Sequence, residues 1–304
     1  MPNEVFLGRR VPDVMRDRIG LALALVAALT ISACSIVRVG YEAIPWYAFW
    51  QLDRYWALDS AQAAYGQGSI EELLRWHRRS ELPEYARWLR RINERIQAPI
   101  DLAEAMSWRK AMNGFWTRAV QRIAPELTEI VVTLRTEQVE RMKKRMASEN
   151  DDYRKEYLPE DLSERQTRRI KRIEERIEYY LGGITDRQRE LVRQMAAMLP
   201  QNEQVWFQER LARQQDLTAL LERLRRPGQT LSDVERQEAS RQVTDFLLSV
   251  WEPRDPRRRQ SLEEALKASD EITMAVLNVA TPAQRMSLSR RLSGWANELE
   301  ALAR

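Results

Sequence analysis

The feature that most constrains the fold is a local signature that recurs along the chain. A small polar residue, usually preceded by leucine or isoleucine, is followed three positions later by glutamine or glutamate. This is the pattern of a capping box, in which the first side chain accepts a hydrogen bond from an orphan helix amide and the second reaches back to the amide of the cap residue. Signatures of this kind begin at Asp59, Ser163, Thr185, Ser232 and Thr281. We therefore predict a helix start at each of them.

Apolar side chains between these starts recur at helical spacing. In residues 163–181 the isoleucines and the final leucine lie three or four residues apart, and Gly182 follows as a predicted C-terminal stop. The 10 glycines and 12 prolines are few for 304 residues. The capping boxes are unevenly spaced, which does not indicate a solenoid. We predict an all-α protein, an irregular antiparallel bundle of about eight to ten helices after a cleaved signal peptide.

The first 33 residues have the order of a secretory signal. Four arginines precede an uncharged apolar run from Ile19 to Ile31, and small residues follow the run. A helix needs roughly 20 apolar residues to cross a bilayer, and this run is shorter. A permanent membrane span is therefore disfavoured. We predict that residues 1–33 are removed by cleavage between Ala33 and Cys34.

The tetrapeptide ISAC at Ile31–Cys34 resembles the lipobox of bacterial lipoproteins. In that class the cysteine receives a diacylglycerol and, after cleavage, an N-acyl chain. The alternative is a buried cysteine in a signal anchor, because free cysteine behaves as a small hydrophobe. The resemblance implies a lipid anchor on Cys34. Ser35 stands where enteric lipoproteins of the inner membrane carry aspartate, which implies the periplasmic face of the outer membrane of a Gram-negative bacterium.

Cysteine usage and charge exclude several classes of function. Cys34 is the only cysteine, so its lipidation would leave no thiol for disulfide, nucleophilic or metal chemistry. The 49 basic residues are nearly balanced by 45 acidic ones. In the runs 141–146 and 165–180 the two signs alternate at helical spacing, which predicts solvated helix faces with salt bridges. Nucleic-acid binding requires a basic stripe free of acids, so we predict no nucleic-acid partner.

Composition divides the predicted mature chain into two regions that we expect to pack as one domain. Residues 34–125 are rich in aromatic side chains, and residues 126–304 are rich in arginine and glutamate. In the first region Trp46, Trp50 and Trp56 recur near helical spacing. We favour a stripe of buried tryptophans, because buried aromatics dominate core energetics. The alternative is an interfacial belt, since tryptophan and tyrosine favour the headgroup level of a membrane.

His77 is the only histidine and lies on the apolar face of a predicted helix, three residues beyond Leu74. A structural role is favoured, with Glu81 as the expected partner. Pro83 lacks an amide hydrogen and is expected to kink or restart the helix.

The alternative for His77 is a general base or metal ligand that works with Glu81 and Glu84. Zinc sites take several ligands, and the chain has no second histidine. No nucleophile-elbow, phosphate-loop or dinucleotide motif occurs. We therefore predict no catalytic residue, no metal and no cofactor apart from the lipid on Cys34.

Three motifs together resemble a known family: the lipobox, then YEAIPWYAFWQLDRYWALDSAQ at Tyr41–Gln62, then WHRRSELPEY at Trp76–Tyr85. The combination resembles an uncharacterised family of proteobacterial lipoproteins, the domain of unknown function 6279. The resemblance covers most of the predicted mature chain and implies a helical envelope lipoprotein, with no known reaction. The residues of the possible family motif are Trp76, His77, Arg78, Glu81, Leu82, Pro83 and Tyr85.

A second similarity concerns the capping boxes. LSERQ at Leu162 and ITDRQ at Ile184 are similar to the LTxxQ motif of the Spy- and CpxP-type periplasmic chaperones, although any capped helix after a core residue has this form. The sequence predicts a lipid-anchored, non-enzymatic protein that binds or scaffolds other envelope proteins. The alternatives are a Spy/CpxP-like chaperone in envelope stress and an envelope hydrolase that uses His77.

Overall fold

The structure, a computed structural model, describes residues 36–198 and 202–304. The predicted signal peptide, its cleavage site after Ala33 and the lipidation site Cys34 lie outside the described residues. By its contacts, Ile44–Arg304 forms one compact unit. The helices of the described ranges are α1 (Ile36–Trp56), α2 (Ser60–Ser80), α3 (Leu82–Arg95), α4 (Leu102–Thr133), α5 (Thr136–Tyr157), α6 (Leu162–Leu181), α7 (Asp186–Met198), α8 (Asn202–Leu224), α9 (Asp233–Leu248), α10 (Pro256–Asn278) and α11 (Pro282–Ala303).

The all-α prediction is confirmed, with 11 helices in these ranges rather than about eight to ten. One source of the larger number is the junction at Glu81. Here α2 ends at Ser80 and α3 begins at Leu82, with Pro83 in its first turn. The restart expected at Pro83 is therefore confirmed. None of the helices described is long and apolar enough to cross a membrane.

The predicted capping boxes form at four of five positions, which are Asp59, Thr185, Ser232 and Thr281. The prediction at Ser163 was wrong. Helix α6 begins earlier because the carboxylate of Asp161 accepts a hydrogen bond from the Ser163 amide. Helix α10 is also capped by an aspartate, Asp255, with Pro256 as its first residue. At α6 the aspartate upstream of the expected start supplies the cap.

Two helix pairs define the bundle, and polar contacts give their directions. Arg90 on α3 contacts Glu300 on α11, and Asn93 contacts Ser293. The residue number rises along α3 while it falls along α11, so this pair is antiparallel. Helices α4 and α9 are antiparallel by the same criterion, because Trp116 bonds Leu247 and Glu129 pairs with Arg236.

The apolar interior consists of two clusters. The first core takes buried residues from α1, α4, α5, α8 and α9, with Trp56, Met142 and Leu221 among them. The second core takes them from α3, α4, α6, α7, α10 and α11, and includes Ile96 and Leu292. Helix α4 contributes to both cores and runs without a break across the compositional boundary at residue 125.

Each core carries a buried pair of glutamines that both stand three residues after a helix cap. In the first glutamine pair, Gln138 donates to Gln62 at 2.8 Å and Gln62 donates back at 3.4 Å. In the second glutamine pair, Gln284 donates to Gln188 at 2.8 Å and Gln188 donates back at 3.2 Å. All four side chains are buried. The pairs join the start of α2 to that of α5, and the start of α7 to that of α11.

The charged runs form the salt bridges that their spacing predicts. In 141–146, Lys143 pairs with Glu140 at 2.8 Å and Arg145 pairs with Glu149 at 2.9 Å. The run 165–180 includes the exposed pair of Lys171 with Glu175. Exposed pairs of this kind contribute little to stability, about 0.3–0.5 kcal/mol each.

Candidate functional site

His77 lies in the last turn of α2 and faces half-buried aromatic rings. Its Nε2 atom is 3.3 Å from the hydroxyl oxygen of Tyr85, and the two rings meet edge to face with centroids 5.3 Å apart. The Trp76 ring lies 6.3 Å away. Burial lowers the pKa of His77 below its usual value, and the charge of Glu81 opposes this shift. The net effect favours the neutral imidazole.

Glu81 and Arg118 form the charged part of the same region. Glu81 is buried between α2 and α3, and its two carboxylate oxygens accept hydrogen bonds from Nε and Nη2 of Arg118 on α4, each at 2.8 Å. These bonds raise the pKa of Arg118. The Arg118 guanidinium also lies 5.2 Å from the centre of the Phe115 ring, which packs 4.5 Å from Tyr85. A bidentate pair of this kind fixes both position and orientation. The α2–α3 junction is therefore held on α4.

The structure thus brings His77, Glu81 and Tyr85 of the possible family motif together. Leu82 is buried at the start of α3, next to Pro83, while Trp76 and Arg78 are half-buried on α2. Glu84, proposed with Glu81 as a helper of a catalytic histidine, pairs with Arg87. Each of the two carboxylates is therefore engaged by an arginine. The described ranges hold no group of three or more potential ligands that suits a metal ion.

The tryptophans of α1 divide between the interior and the surface. Trp56 is buried in the first core, with its indole nitrogen 3.3 Å from the sulfur of Met142. Trp46 and Trp50 are 67% and 38% exposed, so the prediction of burial was wrong for both. Their rings stack with centroids 6.1 Å apart, and the ring of Tyr47 lies 5.8 Å from Trp50. We call these three aromatic residues, together with Ile44, the aromatic patch.

An apolar groove of about 440 Å³ lies beside the first core, between α1, α2, α4, α5 and α8. Gly66 on α2 lines it, and a Cβ atom there would lie 3.5 Å from the Cδ1 atom of Ile130. A methyl group at this position would therefore already touch Ile130 of α4, and a longer side chain would have to extend beyond that contact. Further lining residues of this first groove are Leu52, Tyr55, Ile70, Leu73, Ile123 and Leu127.

Few polar atoms face the first groove. The Glu126 carboxylate accepts hydrogen bonds from Tyr65 at 2.8 Å, from Ser69 at 3.2 Å and from Arg122 at 3.2 Å. Burial would raise the pKa of Glu126, but these bonds outweigh it and hold the pKa below its usual value. Burial and the bond to Glu126 raise the pKa of Tyr65 to about 12. The carboxylate is thus ionised and already satisfied at neutral pH.

Gln51 is the exception among these polar groups. Its Nε2 donates to the hydroxyl of Tyr47 at 2.9 Å, which connects the first groove to the aromatic patch. Its Oε1 atom is buried and has no hydrogen-bond partner within the described ranges. Because this acceptor is closed off from solvent, the first groove presents almost entirely apolar walls to a ligand. The arrangement suits an apolar ligand.

A second groove, of about 270 Å³, lies beside the second core between α3, α4, α6, α10 and α11. Its apolar lining includes Ile92, Trp108, Ile173 and Leu288, and Arg176 also lines it. The second groove is smaller than the first and is lined by no residue of the aromatic patch.

Comparison with protein-family models classifies the chain. Residues 54–246 match the family of unknown function DUF6279, which is more than half of the 304 residues. The chain belongs to this family. The match includes His77 and its neighbours, the first glutamine pair and most of the first groove. No match was found among curated proteins or among solved structures. The likeness to Spy- and CpxP-type chaperones therefore stays a resemblance in motif.

Sequence reasoning did not find the two grooves. A signal for the first was present in Gly66, Ile70 and Leu73, which are spaced by four and three residues and so share one helix face. A glycine on an apolar face leaves a gap wherever the facing helix does not fill it. The sequence alone does not say which helix faces α2.

Proposed function

We propose that this protein is a lipid-anchored binding protein of the cell envelope that holds an apolar segment of a partner protein in the first groove. The observation that carries the proposal is the first groove itself, an apolar space of about 440 Å³. Ligand pockets are typically about 300–1,000 Å³ and are mainly apolar. The function is binding without catalysis.

The chemistry of the first groove supports a polypeptide as the occupant. Small-molecule sites usually present several convergent polar groups that fix one orientation. Here the Glu126 carboxylate is already satisfied and Oε1 of Gln51 is closed off from solvent, so few polar groups remain to orient a small molecule. The apolar side chains of a polypeptide suit such walls. Met142, which lines the groove, is flexible and adapts to different shapes.

A pair of neighbouring positions on α2 tests this proposal. A photo-cross-linking amino acid at Ser69, which lines the first groove, is expected to capture a protein in living cells. The same group at Gly68, which is exposed and where a Cβ atom would meet nothing within 4 Å, is expected to capture little. Equal capture from both positions would contradict a groove-bound partner.

A filled groove gives the second arm of that experiment. Gly66→Leu places a side chain in the first groove and is expected to abolish cross-linking from Ser69, whereas Gly68→Leu is expected to preserve it. Both substitutions remove a helical glycine, so their effects on helix propensity match. Circular dichroism of each variant confirms that it is folded. Unchanged cross-linking in a folded Gly66→Leu variant would overturn the assignment.

The anchor is tested separately at Cys34. Cys34→Ala is expected to leave the precursor uncleaved or to release the protein from membranes, and inhibition of the lipoprotein signal peptidase is expected to accumulate precursor. Density-gradient separation of the two membranes checks the expected outer-membrane location. Normal processing and unchanged membrane association of Cys34→Ala would contradict the lipid anchor.

A chaperone role is the second candidate, and it is favoured by the small number of orienting groups in the first groove. A groove of this kind accepts apolar side chains of many sequences. The Cys34→Ala chain is then expected to suppress the aggregation of an unfolded client at stoichiometric ratios, and Gly66→Leu is expected to weaken that effect. If aggregation is unchanged at excess protein, the chaperone role is excluded. Binding of one specific partner in the first groove would not be excluded by that result.

A further inference from the structure

We propose that the aromatic patch on α1 rests on the bilayer surface and is a second membrane contact beside the lipid anchor. The inference rests on the proposed lipidation of Cys34. Its observational basis is the exposure of three neighbouring aromatic residues on one helix, with Trp46 at 67%, Tyr47 at 51% and Trp50 at 38%.

The side chains of the aromatic patch have the chemistry of the membrane interface. Tryptophan and tyrosine carry an apolar ring and a polar group, and both are enriched where hydrocarbon meets headgroups. The guanidinium of Arg54 lies 4.7 Å from the Trp50 ring, which places a positive charge beside the patch. Lipid phosphates are the natural counter-ions of such a charge. Contiguous exposed apolar side chains, unlike isolated ones, mark an interaction surface.

The rings are held in place before any contact forms. Trp46 and Trp50 stack with an interplanar angle of 11°, and Gln51 bonds the hydroxyl of Tyr47. Ordering flexible side chains on binding costs about 0.5–1.5 kcal/mol each, and rings that are already ordered lose less of this freedom.

The position of the patch in the chain favours a bilayer over a protein partner. The described residues begin at Ile36, two positions after Cys34, and Trp46 follows Cys34 by 12 residues. A fully extended chain of that length reaches roughly 40 Å, so a lipid on Cys34 keeps Trp46 near the membrane surface. Short tethers give effective concentrations in the millimolar range. A weak interfacial preference is therefore sufficient for contact with lipid.

Brominated lipids provide the test, because bromine quenches the fluorescence of nearby tryptophans. The full chain has one cysteine, so a maleimide lipid couples it to vesicles at Cys34 alone. The vesicles consist of phosphatidylethanolamine and phosphatidylglycerol, with bromine near either the ester end or the methyl end of the acyl chains. We expect quenching from the ester-end position, limited to the share of emission from two of the 10 tryptophans.

Matched variants identify the source of the quenching. The double variant Trp46→Phe, Trp50→Phe is expected to lose it. Trp116→Phe, which removes a half-buried tryptophan that bonds Leu247, is expected to retain it. Coupled protein that floats with the vesicles but shows no quenching would overturn the inference, as would quenching that persists in the double variant. Capture of a protein by a cross-linker at residue 46, without quenching, would also overturn it and assign the patch to a protein partner.

The chemical tether separates this inference from the proposed function. Coupling at Cys34 supplies an anchor whether or not the cell lipidates the residue. Failure of the anchor appears as unchanged processing of Cys34→Ala in cells. Failure of the inference appears as missing quenching on vesicles.

Discussion

The two cores share one construction and differ in what lies beside them. Each carries a buried glutamine pair at the starts of two helices, and each is flanked by an apolar groove. The first groove is larger, about 440 Å³ against about 270 Å³, and it joins the aromatic patch through Gln51. The repeated features are parts of the architecture. The features found in the first core alone are those to which we assign function.

The glutamine pairs correspond bond by bond. In each glutamine, Oε1 accepts from the backbone amide of its own cap residue, and Nε2 donates to the partner glutamine and to a backbone carbonyl. Three of these carbonyls, at Ala57, Thr133 and Gly183, have equivalent positions. Each lies two residues before the cap residue of the helix that carries the partner glutamine. The fourth, Val276, lies further back, where α10 is still helical. Each pair therefore ties two helix starts together with few unsatisfied polar atoms.

The largest expected effect is the loss of one glutamine. Gln138→Leu leaves the carbonyl of Ala57 and the backbone amide of Arg135 without their bonds to Gln138, and the Gln62 side-chain amide keeps only its bonds to Thr133. Unsatisfied buried polar groups cost about 1–3 kcal/mol each, so the free energy of unfolding should fall by about 3 kcal/mol. Gln188→Leu removes the corresponding bonds of the second pair, with Val276 as the carbonyl, and should cost the same within about 1 kcal/mol.

Urea denaturation of both variants measures these losses. The exposed Gln260, which bonds Glu264 on the same helix, provides the control, and Gln260→Leu should change stability by less than about 0.5 kcal/mol. A cost for Gln188→Leu similar to that of the control would show that the second pair is not equivalent to the first.

Helix starts were predictable because their chemistry is local. The boxes at Asp59 and Thr281 depend on residues within one turn, which the sequence displays. The pairing of Gln62 with Gln138 was not predictable, since it joins residues 76 positions apart. The exposure of Trp46 and Trp50 is of the same kind, because helical spacing identifies a face but not what covers it. Each groove is formed by three or more helices. Its position therefore depends on tertiary packing that no local sequence pattern specifies.

The C-terminal end of α6, at the second core, should be sensitive to the addition of a single methyl group at Gly182. Gly182 has φ = 77°, and a Cβ atom there would lie 2.7 Å from Oγ of Ser287 on α11. The left-handed conformation costs a residue with a side chain about 1–2 kcal/mol, and the greater freedom of glycine in the unfolded chain offsets about 0.5–1 kcal/mol of this. The close approach to Ser287 adds to the cost, so Gly182→Ala should destabilise the protein by about 1–2 kcal/mol. The exposed helical Gly68 offers the opposite case, and Gly68→Ala should stabilise it by about 0.5–1 kcal/mol. Thermal unfolding distinguishes the two signs, and destabilisation by both variants would refute this account.

A smaller effect is expected on the pH dependence of stability. It comes from His77 at the end of α2, the helix that lines the first groove. The pKa of His77 is lowered in the folded protein by burial, so the unfolded chain binds the proton more readily. Stability from the neutral ring is therefore present above the unfolded pKa of about 6.5 and is lost as pH falls below it. His77→Gln does not titrate and offers a polar group to Tyr85.

Unfolding midpoints near pH 8 and near pH 5 measure this difference. The wild-type protein should lose more stability between the two than His77→Gln, because carboxylates titrate alike in both proteins. An equal loss would mean that His77 has the same pKa in the folded and unfolded states, and the pH response would then come from the carboxylates alone.

The smallest effect is expected from a substitution that makes the first glutamine pair resemble the second at one residue. Ala57 stands two residues before the cap Asp59 and has φ = 47°, while glycine occupies the equivalent position, Gly183, before Thr185. The left-handed conformation costs alanine about 1–2 kcal/mol, and the greater freedom of glycine in the unfolded chain offsets about 0.5–1 kcal/mol of the gain. Ala57→Gly should therefore stabilise the protein by about 0.5 kcal/mol. Its carbonyl still accepts from Gln138, so the first pair is retained.

The exposed Ala61, in the first turn of α2, provides the matched control for Ala57→Gly. Ala61→Gly introduces the same flexibility at a helical residue and should destabilise the protein by about 0.5–1 kcal/mol. Opposite signs in urea denaturation would show that strain at Ala57 is a local property of the chain. Equal destabilisation by both would mean that the conformation of Ala57 carries no strain. In that case the Ala57 backbone would adopt its conformation without strain when it accepts the bond from Gln138. Alanine at this position would then cost no free energy relative to glycine.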